Sequence, residues 1–297
     1  MNTTRLFFGL LVLLFASELI SCMDHRLPVI TPGSNQLRVK SITRQLTSGS
    51  SLSTVSAFSY DNQNRISSIL GFQLPDSTAA PVENTVYQYN AQNRLAQVQH
   101  SEIRRGSIPT LRSETYTLAY EAGNLSGIRN DPSTFGISAT YDATNRPLRF
   151  VKSVVPVGGL QYSDSGSFTF TGNNLTSSSE KVLFLRLGEP RPIADFTTDI
   201  TYTFDDKLNP FYGAFIVPVL GSYQPGLIQG GGTATTLYGG LSNWLNFSQN
   251  NVVSAVASNG PTTAYSYTYN AANLPITRIT TTNGNVTELL RYDYESY

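Results

Sequence analysis

Cysteine and histidine are almost missing from this sequence: one cysteine, Cys22, and two histidines, His25 and His100, in 297 residues. No intrachain disulfide can form from one thiol. So few imidazoles leave little for a histidine metal site or a Ser-His-Asp triad to draw on. Charge is scarce as well. Only 13% of residues are charged, where an ordinary domain has about 25%. Twenty basic residues balance twenty acidic ones, so the electrostatic footprint of a nucleic-acid binder is lacking. Beyond the N-terminus there is no sustained 3.6-residue hydrophobic period and hence no long amphipathic helix. These shortages predict a protein without catalytic residues, cofactor, metal or nucleic-acid partner.

The N-terminus accounts for the cysteine. Arg5 precedes an apolar run, "LFFGLLVLLFA" at residues 6–16, which is shorter than the roughly 20 residues of a spanning helix and fits the apolar part of a signal peptide. "LISC" at residues 19–22 resembles a bacterial lipobox. That resemblance implies removal of residues 1–21 and lipidation of Cys22, with more than one acyl chain needed for stable anchoring. Residues 22–36, with two prolines, a glycine and His25, read as a tether. The rest, 37–297, reads as a single β-repeat domain.

What the sequence has in quantity is one repeated phrase. "YDNQNRISSI" at residues 60–69 returns as "YNAQNRLAQV" at 89–98 and "YDATNRPLRF" at 141–150. Asp61 suits the first position of a type I turn. Asn64 suits the left-handed position closing a three-residue hairpin loop. This geometry pairs Tyr60 with Ile66, Tyr89 with Leu95 and Tyr141 with Pro147, each an aromatic ring beside an apolar side chain. "YEAGNLSGI" (120–128) and "FTGNNL" (170–175) are copies one residue tighter. "FDDKLNPF" (204–211), "FSQNNVVSAV" (247–256) and "YNAANLPITRI" (269–279) read as weaker copies. Ring-to-ring spacings between 21 and 43 residues place this among repeat arrays. Before each turn the residues alternate, as in "AYSYTY" at 264–269, which is the strand signal. There Tyr265, Tyr267 and Tyr269 face one way, and Ser266 and Thr268 the other. "YGGLSNWLNF" at 238–247 is the one stretch able to hold a helical turn.

The clear copies resemble the YD repeats of Rhs-type proteins, with Asn where that family prefers Gly. From about Gln36 to Tyr297 the chain resembles an uncharacterised family of Bacteroidota lipoproteins, described as a domain of unknown function with a porin-like fold. The "NPF" of "KLNPFYGAF" (207–215) and the "FSQNNVV" of 247–253 carry that likeness. It implies a fold and no activity.

Candidate chemistry is thin. His100, after "QVQ", reads as a polar residue at a sheet margin. Asp205 and Asp206 can offer hard oxygen ligands, but their surroundings lack a calcium-loop spacing and read as a turn. Asp195, Asp199, Glu288 and Asp293 are the carboxylates available for glycoside hydrolysis, which needs two of them together. The Gly230–Gly232 run lacks the Lys-Ser or Lys-Thr of a phosphate loop and reads as a surface loop. The longest spacing, Phe204 to Phe247, concentrates Phe211, Tyr212, Phe215, Tyr223, Tyr238 and Trp244. Long connections tend to be functional, and these rings can stack on a ligand or cap the fold.

The expected fold is all-β: a long antiparallel meander of about 15 to 18 strands curled into a barrel-like roll, since open sheets beyond about ten strands curl or split. The leading expectation is a lipid-anchored outer-membrane lipoprotein that binds or scaffolds a glycan or envelope protein. Phe211, Tyr212, Tyr223, Tyr238 and Trp244 are its ligand candidates. The alternatives are a carbohydrate-active hydrolase with paired carboxylates, and an outer-membrane barrel or shell protein.

Overall fold

Alternating stretches become strands wherever a turn phrase bounds them. A computed structural model describes residues 36–47, 53–75, 82–104, 110–131, 135–144, 146–154, 160–186, 188–214 and 244–297. The strands are β1 (Leu37–Leu46), β2 (Ser53–Tyr60), β3 (Ile66–Leu74) and β4 (Val82–Tyr89). Then come β5 (Leu95–Arg104), β6 (Thr110–Glu121), β7 (Asn124–Asp131) and β8 (Phe135–Tyr141). β9 (Pro147–Val154), β10 (Leu160–Thr171), β11 (Asn174–Arg186) and β12 (Ala194–Leu208) follow. A 3-10 turn at Trp244–Phe247 precedes β13 (Asn250–Ala257), β14 (Thr262–Tyr269), β15 (Pro275–Thr282) and β16 (Asn285–Ser296). Every strand pairs antiparallel with its chain neighbours, and β1 closes on β16, giving a closed sixteen-stranded meander barrel.

The repeated phrase lies at one end of this barrel, the near rim, where residues 61–65, 90–94, 142–146 and 270–274 turn the chain. The Asp61 carboxylate accepts from the backbone N–H of Gln63 and Arg65 at 2.9 and 3.0 Å. Asn64, Asn93 and Asn273 take φ of 62°, 61° and 59°, as the turn geometry requires; Asn145 lies outside the described residues. The predicted register holds at Tyr60↔Ile66, Tyr89↔Leu95 and Tyr141↔Pro147. The tighter copies turn through Ala122–Gly123 and Gly172–Asn173, with φ above zero at Ala122, Gly123 and Gly172.

The tyrosine and arginine of the phrase act between hairpins. β3 pairs with β4 only over Ser68–Gly71, so the two strands part before the near rim. The Tyr89 hydroxyl crosses that gap and donates to the Ile66 carbonyl at 2.9 Å, satisfying a group the ladder has abandoned. Tyr60 does the same for Val39, Tyr120 for Leu95, Tyr267 for Val252 and Tyr294 for Pro275. Arg65 lies 4.0 Å over the Tyr89 ring and donates to Asn93 Oδ1 at 3.0 Å. Arg38 repeats both contacts on Tyr60 and Asn64. At Tyr60, Tyr89 and Tyr120 the phrase is thus a rivet joining neighbouring hairpins, whereas the buried Tyr141 hydroxyl makes no such bond among the described residues.

Two expected copies are corrected. "FDDKLNPF" is not a hairpin: β12 runs through to Leu208 with a bulge over Asp205–Lys207, and the chain turns only at Asn209. "FSQNNVVSAV" is the 3-10 turn passing into β13. Asp205, read as a turn residue, sits in that bulge and accepts from Lys207 N–H and the Tyr269 hydroxyl.

A barrel of sixteen strands is wide enough to enclose a channel, and wall side chains alone do not fill it. The described ends of the connection between β12 and β13, residues 209–214 and 244–249, supply filling. Phe211 reaches 5.7 Å from the Phe58 ring on β2, and Phe247 stands edge-on to Phe168 on β10 at 5.1 Å. Buried Asn209 holds both ends of this plug, donating from Nδ2 to the carbonyls of Leu245 and Ser248 at 2.8 and 3.0 Å. Ser248 Oγ accepts from Leu175 N–H, and Asn250 from Asn174 Nδ2. The "NPF" and "S-x-NN" segments are clamps.

Candidate functional site

Along each strand the inward face changes character with distance from the near rim. On β10 it reads Phe170, Phe168, Gly166, Asp164; on β16, Tyr294, Tyr292, Leu290, Glu288; on β4, Tyr89, Tyr87, Thr85. An apolar layer sealed by the plug therefore gives way to a polar belt deeper inside. The outward face is polar along β10, β12 and β14, while Leu70, Val151, Val256 and Ile279 are exposed apolar residues on other strands. Asp195, Thr197, Asp199, Thr201 and Thr203 of β12 are all exposed, as are Ala264, Ser266 and Thr268 of β14. On β10 the outward positions are Ser163, Ser165, Ser167 and Thr169.

The belt carries two ionic clusters. In one, Glu288 lies between Arg44 Nε at 2.5 Å and Arg278 Nη2 at 2.8 Å, and Thr280 Oγ1 adds a bond at 3.2 Å. Burial alone would raise its pKa; the Arg278 and Arg44 guanidiniums outweigh that and hold the carboxyl below its ordinary value. In the other, the buried Lys152 Nζ of β9 meets Asp164 Oδ2 of β10 at 2.5 Å and Glu180 Oε1 of β11 at 3.6 Å. Here burial, then the hydrogen bond to Asp164, push the Glu180 carboxyl up to about 7, and Lys152 only partly opposes them. Between these clusters, on β4 and β5, Thr85 Oγ1 lies 3.0 Å from His100 Nδ1.

Beyond the second cluster, towards the far mouth, Phe184 and Phe196 lie on the inward face and stack at 6.5 Å. Phe196 is 49% exposed, so an aromatic surface remains open to solvent there. A cavity of about 30 Å³ lies against the plug, lined by Phe211, Tyr267, Arg278 and Tyr292 among others. It is of a size for water.

The sequence-derived candidates divide accordingly. Phe211 is a plug residue, and Tyr212 is half-buried beside it. Tyr223, Tyr238, Phe215 and the Gly230–Gly232 run lie outside the described residues, as do Cys22 and His25; of Trp244 only the backbone is described. His100 is not at a sheet margin but 4% exposed inside the barrel, because β5 continues past it to Arg104. Asp195 and Asp293 stand outside, with Lys181 and Ser41 as partners, and Asp199 is exposed there too. Glu288 points inside, so these four never meet. The carboxyls that do meet, Asp164 and Glu180, were missed. Their signal was parity: both sit in phase with buried neighbours, Phe168 and Ser178, on alternating strands.

No family model matches the chain, and no curated protein does. Among solved structures it is similar to a porin-like protein from Bacteroides uniformis ATCC 8492, at 11% identity and TM-score 0.41, over 86% of this chain and 98% of that one. It is also similar to a porin-like protein from Bacteroides vulgatus ATCC 8482, at 11% identity and TM-score 0.39, over 88% of this chain and 99% of that one. Both likenesses concern the course of the chain and nothing of function.

Proposed function

We propose that this chain is a cell-envelope lipoprotein, anchored at the outer membrane by lipid on Cys22, whose barrel stands in water and binds a ligand without transforming it. Residues 1–21 act as the signal and 22–36 as the tether, with the barrel beginning at Leu37. The observation that carries the reading is the polarity of the wall. Outward positions on β10 and β12 are Ser, Thr and Asp, and the exposed outward apolar residues Leu70, Val151, Val256 and Ile279 are scattered over separate strands, where a bilayer-embedded barrel needs an apolar band about 25 Å tall. Because the near rim is sealed, a ligand enters from the far mouth, where Phe184 and Phe196 offer a stacking surface for a glycan or an envelope protein. A second reading, a barrel inserted in the outer membrane, draws on the closed, even-numbered antiparallel meander that bacterial outer-membrane barrels share.

One experiment separates the two. Residues 23–297, produced without signal or anchor, stay monomeric in buffer lacking detergent if the barrel stands in water. Aggregation relieved by detergent, with unaided insertion into vesicles, favours the membrane barrel. In cells, a clickable palmitate analogue labels the full chain and not Cys22→Ala; equal labelling of both removes the anchor.

A further inference from the structure

Lys152, Asp164 and Glu180 come from three consecutive strands and meet on the inward face, with Lys152 4% and Asp164 0% exposed at the side chain. Two carboxyls thus share one ammonium inside the wall. The other groups around Glu180 are neutral: Thr198 and Gly166 stand opposite it in register on β12 and β10, and the Tyr202 hydroxyl is bonded to Ser178 at 3.0 Å. Among the described residues, Lys152 is the cation that acts on Glu180. We propose that this cluster is a proton-operated clasp across β9, β10 and β11, closed while the Glu180 carboxyl keeps its proton and loosened when that proton leaves.

The Glu180 carboxyl, pushed up to about 7, titrates within the physiological range. When it ionises, two like charges face each other in a low-dielectric wall, and one ammonium cannot satisfy both. β10 and β11 run on from the clasp to the far mouth, where Phe184 follows Glu180 on the same face of β11. Loosening is therefore felt at the mouth rather than at the riveted near rim. The clasp does not depend on what the barrel binds, nor on whether it is lipid-anchored.

Amide hydrogen exchange on the soluble barrel, at about pH 6 and about pH 8 and corrected for intrinsic rates, tests it. Peptides from β9–β11 lose protection at least about threefold at the higher pH, while β15–β16 peptides hold theirs. Glu180→Gln, a neutral stand-in for the protonated acid, keeps β9–β11 protected at both. Unchanged protection in the wild type, or the same loss in Glu180→Gln, overturns the clasp. Should that variant fail to fold, the wild-type infrared spectrum decides. A protonated-carboxyl band present at about pH 6 and gone by about pH 8 supports the clasp, and its absence at about pH 6 removes it.

Discussion

Glu180 and Glu288 both point into the barrel, both follow the apolar layer on their strands, and both sit within reach of a cation. Their neighbours differ. Glu288 has two guanidiniums, at 2.5 and 2.8 Å; Glu180 shares a single ammonium, 3.6 Å away, with a second carboxyl only 2.5 Å from it. Burial raises both pKa values, yet Glu288 ends below its ordinary value and Glu180 at about 7. The local count of charges, and not depth, sets the sign. The consequence for stability is opposite too. Glu180, with its folded pKa raised, contributes stability that is full below about 4.5 and lost as pH rises through about 7. Glu288, with its folded pKa lowered, contributes stability present above about 4.5 and lost as pH falls through the folded value.

Removing the carboxylate from the cationic cluster has the largest expected effect. Glu288→Ala takes from Arg44 and Arg278 the anion they share inside the wall. Breaking a buried pair in this way costs about 3–5 kcal/mol, read as a lower urea midpoint at neutral pH. A loss under about 1 kcal/mol would mean that water screens the cluster and that the contrast between the two glutamates is illusory.

Glu180→Gln should work in the other direction. Moving a carboxyl from 4.5 to about 7 caps the pH-linked loss at about 3 kcal/mol, and solvent reaching a side chain 27% exposed reduces it to about 2 kcal/mol. Wild-type stability falls by that amount from about pH 5 to about pH 7.5, and the Gln variant stays flat. The variant gains at pH 8 and not at pH 5. A parallel fall in both proteins would assign the titration to another group. An effect of similar size, without pH dependence, belongs to Gly166, opposite Glu180 on β10. A Cβ there would collide with the Phe150 ring and lie 2.8 Å from the Ser179 carbonyl oxygen. Gly166→Ala should cost about 1–3 kcal/mol at either pH by overpacking.

The near rim was legible in the sequence because its determinants lie within seven residues. Asp61, Asn64 and Arg65 fix a turn among themselves, and Tyr60 and Ile66 follow as a pair. The clusters were not legible, since Lys152, Asp164 and Glu180 are joined only by register across three strands. Register depends on bulges, such as the one at Thr169/Phe170, that alternation alone does not reveal. "FDDKLNPF" was misread for a related reason. Its ring and asparagine imitate the turn phrase, while a bulge absorbs Asp205–Lys207 without reversing the chain. Of the long connection, Phe211 packs against Phe58 inside the barrel, as a cap would, while Phe215, Tyr223 and Tyr238 lie outside the described residues; the cavity beside Phe211 is framed by residues no local phrase announces.

The rivets offer the smallest effect and a control for both clusters. Asn64 holds φ at 62° and accepts from Arg38; Asn93 holds 61° and accepts from Arg65. Val at either position must enter the left-handed region with a branched Cβ and also loses the acceptor, so each change should cost about 1–2 kcal/mol. Gly relieves the backbone and loses only an exposed hydrogen bond, so its effect should stay within about 0.5 kcal/mol. No titrating group takes part except Asp61, which its bonds to Arg65 and Gln63 hold below the ordinary carboxylate value. The Val-minus-Gly difference should therefore be the same at pH 5 and pH 8, while the Glu180 effect appears only at the higher pH. If the difference instead tracks pH, the near rim and the clasp are coupled through the wall, and the sealed end is not the rigid reference against which the mouth moves. Thermal melts of both variants at both positions, run at the two pH values, decide between these outcomes.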